Sequence, residues 1–320
     1  MDAGDRPGIA TLSDPVARAL ASCRAWGLLG DLFRRGLVAD TVPAWQGSGQ
    51  LGELGPGALE AYAAAHTRLF LVEVSPHESV FLSADGLLGG DVAALVRADR
   101  ARAGLGDPVG VEPDHLGAEC AWMAFLTGAE ADARRDGVDP APILTLQREV
   151  LDRHLLRWLP ALVEALEGVG VDAPGRLYVD AAGLALALAR SRFAELGGVP
   201  EAWSLAPAKD PLASAETGIY RISEHLCLPV QAGGWWTRSA LVAIGRRLDL
   251  PAGFGNRVDL VEGLFHAAAQ YGRVPELCGA LAEVASGWAE RGDGPWPERA
   301  RGTVGMLERV GAGDGSGGGG

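Results

Sequence analysis

Apolar residues in this chain return every three to four positions, segment after segment, and nowhere alternate over a length that would make a convincing strand. That period gives each segment one buried face and points to a bundle of helices rather than a sheet. Ser13-Asp14-Pro15 is a helix start, followed by Leu20, Cys23, Leu28, Leu32 and Phe33. Residues 41–57, rich in Gly, Pro and Ser, read as a loop. Leu59, Tyr62, Ala63, His66, Leu69 and Phe70 share one face of a second helix, which Val74 to Ser79 interrupts. A short helix is expected within 84–107. Residues 142–167 form another helix through Leu151, Leu155, Trp158 and Leu162, kinked or ended by Pro160. Tyr178 to Leu196 is helical again. Residues 197–218 lack periodicity and read as a linker. Helices then follow over Thr237–Leu248, after a capping Asn256, and over Val274–Arg291. No repeat of fixed period is present. The glycine-rich end, 311–320, is expected to be disordered.

The 320 residues suffice for one or two domains, and 48% are apolar, enough for a large core. The net charge is −13. Acids exceed bases in each third of the chain, so the charge is spread and is not a tail. Such a surface lacks the basic stripe that nucleic acid requires. Only Lys209 among the 28 basic residues is a lysine. The four cysteines stand far apart without a CxxC, as expected of a reduced, cytoplasmic protein. The first fifteen residues have neither the basic nor the apolar region of a secretory signal, and no apolar run is long enough to span a membrane.

Several chemistries are missing. There is no HExxH, no pair of histidines at ligand spacing and no GxSxG. The lone lysine is followed by Asp210, which rules out a P-loop. Gly47-Ser48-Gly49-Gln50-Leu51-Gly52 fits GxGxxG, but it follows no strand and lies in the loop.

What remains is Glu112-Pro113-Asp114-His115-Leu116-Gly117-Ala118-Glu119, a titratable cluster at the head of an apolar helix. Pro113 suits the first helical turn. Asp114 can accept from the open N–H groups there and favours the positive end of the dipole. His115 and Glu119 are one turn apart. Two readings stand side by side: a recognition site, or a helix cap with a His–Glu pair. His66 and His154 fall on apolar faces and read as satisfied core histidines. His77, beside Glu78 in a loop, reads as a contact residue or a turn. Trp235-Trp236 reads as core packing.

The cluster, continued by Trp122-Met123-Ala124-Phe125-Leu126, resembles the E-P-x-D-H-x-x-x-E-x-x-x-M signature of the TorD/DmsD/NarJ-like redox-enzyme maturation chaperones. His66–Phe70 with Pro76-His77-Glu78-Ser79 resembles the family's Pro-x-E-S-type segment. Gln147 to Leu155 with Trp158-Leu159-Pro160 resembles its Q-x-x-F-x-x-x-H-L-x-x-W-x-P helix, with Val150 or Leu151 where an aromatic is usual. Arg24 to Leu29 matches loosely. The likeness covers residues 12–200, and 205–310 extend past the family's usual end.

The resemblance implies an all-α, TorD-like helical bundle over 12–200, a small helical extension over 205–310 and a tail over 311–320. It implies a cofactor-free cytoplasmic chaperone, not an enzyme. Such a protein binds the apo catalytic subunit of a molybdopterin oxidoreductase, through its twin-arginine signal peptide, its body or both, until the cofactor is inserted. The residues expected to contact this client are Glu112, Asp114, His115, Glu119, Trp122 and His77. A twin-arginine peptide needs carboxylates at one end of a groove and apolar walls beyond, which Trp122, Phe125 and Leu69 could supply. The alternative is a helical adaptor without a molybdoenzyme client. Either reading allows a monomer or a dimer.

Overall fold

The computed structural model describes residues 13–199, 203–213, 218–251 and 253–313. Among them the chain is helical and holds no β-strand. The helices are α1 (Pro15–Arg35), α2 (Val42–Gly47), α3 (Ala58–Thr67), α4 (Glu78–Leu82), α5 (Gly90–Arg102), α6 (Leu116–Arg135), α7 (Ala141–Val150), α8 (Leu156–Glu167) and α9 (Ala173–Glu195). They continue with α10 (Ile219–Cys227), α11 (Pro229–Ala232), α12 (Arg238–Arg247), α13 (Arg257–Gln270), α14 (Val274–Arg291) and α15 (Trp296–Ala312). The all-α expectation holds. Residues 1–12, and 314–320 of the expected tail, lie outside the described residues, whereas Gly311 and Ala312 close α15.

Start signals worked where a side chain could reach the backbone. Asp14 Oδ1 accepts from Val16 N–H at 3.0 Å and opens α1. Asn256 and Asp259 form a reciprocal capping box on α13. Three sequence expectations change. The 41–57 loop contains α2, which buries Trp45. The helix expected to open at Glu112 opens at Leu116, because Pro113 and Asp114 form a turn before it. Pro160 neither ends nor breaks its helix. A wide turn over Leu151–Leu155 precedes it, with Leu156 N–H reaching back five residues to Leu151 O. Such π turns absorb a local mismatch in the helical ladder. A second one follows α3 over Arg68–Glu73 and closes with Val74 N–H on Leu69 O at 2.8 Å.

The chain gathers into two compact units, each made of three segments. The first comprises 1–66, 93–157 and 173–201; the second comprises 67–92, 158–172 and 202–320.

In the first unit α1 packs along α6. Small residues bring the two helices together. A Cβ on Gly117 would stand 2.8 Å from Gly30 O and would overlap Arg34 Cγ, so only glycine permits this backbone approach. Trp26, Leu29, Phe33, Cys120, Met123 and Leu155 fill the core around the contact. Tyr178 of α9 ties down the exit of α1: its hydroxyl accepts from Leu37 N–H at 3.0 Å and donates to Tyr62 O at 2.9 Å. Burial pushes its pKa up to about 12.

In the second unit α10, α12, α13, α14 and α15 enclose a core of Leu226, Trp236, Leu241, Leu264, Phe265, Leu281 and Trp288. Trp236 and Trp288 meet edge-on with centroids 4.5 Å apart. Trp235 is buried too, so the tandem tryptophans are core, as expected. Gly233 ends α11 at φ +79°, and a Cβ there would run into the backbone at Ala300.

Candidate functional site

The motif in the first unit is built from the turn before α6. His115 is the N-cap: its backbone is extended, and its Nδ1 accepts from Gly117 N–H at 3.0 Å. The capping role assigned to Asp114 from sequence therefore belongs to His115. That bond fixes the tautomer, since an accepting Nδ1 leaves the proton on Nε2.

Asp114 and Glu119 are fully buried, His115 is 8% exposed and Trp122 is 1% exposed. Glu112 is exposed and stands 4.0 Å from Arg97, which also holds Asp107 at 3.0 Å. Phe125 is 46% exposed. The cluster thus presents one carboxylate and one aromatic ring to solvent, while its other acids lie inside.

Buried acids need cationic partners. Arg100, itself buried, donates to Ala118 O and Gly106 O, each at 3.2 Å, and so clasps the first turn of α6 to the 103–111 loop. Burial pulls its pKa down, and the Glu119 charge opposes that. Its guanidinium also lies 5.7 Å from the centre of the Trp122 ring.

Beyond Trp122 sits a second charged knot. His154, in the π turn, donates from Nε2 to Asp99 Oδ2 at 3.1 Å and leans against Trp122 at 5.7 Å. Asp99 also takes Arg153 at 2.8 Å and Arg102 at 3.1 Å. The His154 hydrogen bond, more than the arginine charges, holds the Asp99 carboxyl below its usual range against the opposing effect of burial. His154 is therefore satisfied, as expected, though by a carboxylate. His66 is satisfied by Phe33 O at 3.0 Å.

Gln147 works in the same manner. Its amide donates to Leu126 O at 3.2 Å and to Glu130 at 3.0 Å, and it accepts from Arg192 at 2.9 Å. These inward-facing charges escape a reading of the sequence for a simple reason. Asp99, Arg100 and Glu130 are spaced among exposed charges along α5 and α6, where a solvated role is the ordinary expectation.

His77 belongs to the second unit. It stands immediately before α4 in extended backbone, half-buried, with Nδ1 3.0 Å from Ser75 Oγ. Glu78 and Ser79 behind it are buried, and Ser79 Oγ accepts from Gly89 N–H at 3.0 Å. Each unit thus carries a histidine at the entry of a helix. Among the described residues no three His, Cys, Asp or Glu side chains form a metal-ligand set, and no helix is long and apolar enough to cross a membrane.

Residues 40–164 match the family described as the nitrate reductase delta subunit. The match contains three of the four segments on which the resemblance rests, His66–Ser79, Glu112–Leu126 and Gln147–Pro160, and bears that resemblance out; the loosely matching Arg24–Leu29 precedes it. The selenate reductase assembly chaperone protein of Thauera selenatis is 40% identical over 83 residues, which is 26% of this chain and 42% of that protein. The chlorate reductase assembly chaperone protein of Ideonella dechloratans is 44% identical over 55 residues, 17% of this chain and 28% of that protein. The matched regions span less than half the length of either relative. No solved structure matches the chain.

Proposed function

We propose that this chain is a redox-enzyme maturation chaperone. It holds the apo catalytic subunit of a molybdopterin oxidoreductase in the cytoplasm, through the subunit's twin-arginine signal peptide, its body or both, until the cofactor is in place. It acts by binding and carries out no turnover. The observation that carries this reading is the family match over residues 40–164 together with the Glu112–Glu119 cluster inside it. Both curated relatives bear the name of a reductase assembly chaperone, which favours this reading over an adaptor without such a client.

Burial divides the work among the proposed contact residues. Glu112 and Phe125 are open to solvent and meet the client directly. Asp114, His115, Glu119 and Trp122 set the turn that presents them, and His77 does the same for the entry of α4. An exposed carboxylate suits a guanidinium, and an exposed ring farther along α6 suits the apolar stretch that follows twin arginines. Release after cofactor insertion follows if the mature client binds less tightly than the apo form.

The test is titration of a twin-arginine peptide, and separately of apo catalytic subunit, into the wild type and Glu112→Arg. The Glu112 side chain is exposed, so the fold should survive. The reversal should weaken binding about three- to tenfold, since it replaces one exposed attraction with a repulsion, and more so at low salt. Equal binding by the two proteins would remove Glu112 from the site, and no binding of either client form would remove the function.

A further inference from the structure

A cleft of about 810 Å³ opens within the second unit, lined among others by Asp85, Lys209, His225, Cys227, Gln231 and Arg257. This is the size of a small-molecule site and much more than a lone inorganic ion fills. Arg257, the first residue of α13, places its guanidinium 3.4 Å from the centre of the Trp235 ring. Trp235 is itself fixed. It stacks with Phe81 at 5.3 Å, and its Nε1 donates to Glu73 O at 2.7 Å. The guanidinium therefore lies on a rigid aromatic plate.

That guanidinium lacks the partners a buried cation needs. Its Nη1 is buried without a hydrogen bond. The neighbour that acts on its charge is the Cys227 thiol. Burial pushes that thiol up to about 11, so it is neutral near pH 7. Burial draws Arg257 down to about 10, which leaves it charged. Unfilled donors on a buried cation are costly, and stacking on an indole offsets only part of that cost.

The carboxylates around the cleft are occupied elsewhere. Asp210 is held by Arg309 at 3.0 and 3.2 Å, Glu224 by Arg221 at 2.9 Å, and Asp85 Oδ1 accepts from Leu87 N–H at 3.1 Å. Lys209 is exposed and enters no ion pair among the described residues. Its position is set in advance. Arg299 donates to Ala206 O at 2.7 Å, Gln231 donates to Pro207 O at 3.4 Å, and Lys209 N–H donates back to Gln231 Oε1 at 2.9 Å. His225 is pushed down to about 4 by burial and by the Arg299 charge, so near pH 7 it is neutral and offers one N–H.

We propose that this cleft binds the phosphoryl or carboxylate head group of a small molecule, with Arg257 and Lys209 as its cationic contacts. A guanidinium held over an indole at 3.4 Å is anchored in place, and its planar fork of N–H groups suits two-point binding of an oxyanion. The surrounding chain carries a charge of −13, so an anion has little reason to settle here without a dedicated cationic contact. None of the cleft's lining residues is a proposed client contact, so either reading can fail without the other.

The experiment is calorimetric titration of the full chain with phosphate, pyrophosphate and citrate at constant ionic strength. Saturable one-to-one binding of at least one is expected, weakened about tenfold or more in Arg257→Leu and at least about threefold in Lys209→Ala. Preference for pyrophosphate assigns a phosphoryl ligand; preference for citrate assigns a carboxylate. Arg257→Leu should melt no lower than the wild type, because it removes a buried cation without a counter-charge. Should that variant not fold, Arg257→Lys takes its place, with the same loss expected because it lacks the planar fork. The proposal is overturned if none of the three anions binds saturably, or if binding is undiminished in Lys209→Ala and in the folded Arg257 variant.

Discussion

At the scale of single residues, the motif's least polar member has the most demanding job. Gly117 lets α6 touch α1 at Gly30, and nothing larger fits against Gly30 O. Gly117→Ala should destabilise the protein by about 2 kcal/mol, because overpacking outweighs the helical preference of alanine. Urea unfolding checks this; a variant as stable as the wild type would mean that the helices move apart freely. The sequence showed that Gly117 follows a charged cluster but not what lies across from it, since a glycine carries no mark of a close neighbour. The cap was half legible. Asp114 and His115 both suit a helix start, and local chemistry favours aspartate. The turn at Pro113–Asp114 shifts the helix by enough to put the imidazole in the capping position instead. The burial of Asp114 was not legible at all, nor was that of Glu119 and Asp99, which rests on the Arg100 charge from α5 for the one and on Arg153 and His154 from the π turn for the other.

At the scale of elements, strong periodicity and side-chain caps located α1, α6, α9, α13 and α14, while α10 and α15 went unread. Their buried stripes exist, Ile222 and Leu226 in one, Trp296, Ala300, Thr303 and Leu307 in the other. Small and polar members and the glycines at 302 and 305 blur the second stripe. The π turns leave no local signature either, since the residues of Arg68–Glu73 and Leu151–Leu155 continue the periodicity of ordinary helix. The Leu151–Leu155 turn is held by its link to α5 through His154 and Asp99. Asp99→Asn should cost about 1–2 kcal/mol near pH 7, because it removes the charge that the buried His154 and the partly exposed Arg153 and Arg102 share. The sign of the pH effect follows from the depressed carboxyl. Its contribution is complete above the ordinary value of 3.8 and fades as pH falls through the lower folded value. The stability gap between variant and wild type should therefore close below about pH 4, as thermal melts across that range would show. A gap unchanged at acid pH would assign the loss to packing alone.

At the scale of the whole molecule, the sequence suggested a chaperone domain over 12–200 followed by an extension over 205–310. The compact units are drawn differently, because 67–92 and 158–172 gather with the extension. No periodicity within one helix can reveal which distant helix will cover it. Phe81, Leu69 and Trp158 are fully buried, and Trp235 of the extension stacks on Phe81. A chain cut off after residue 204 should consequently expose these faces, bind a hydrophobic dye strongly and lose solubility; a soluble, cooperatively melting 1–204 fragment would instead support an independent first domain. The same stitching predicts that the protein tolerates a cut in the backbone at 203–213. The Phe81–Trp235 stack, the Trp235 bond to Glu73 and the Glu164–Arg291 ion pair all bridge its two sides. Fragments 1–204 and 205–320 made together should find each other and co-elute as one complemented molecule. If the proposed function holds, a protein that keeps another chain until it is finished would, in this respect, be its own first client.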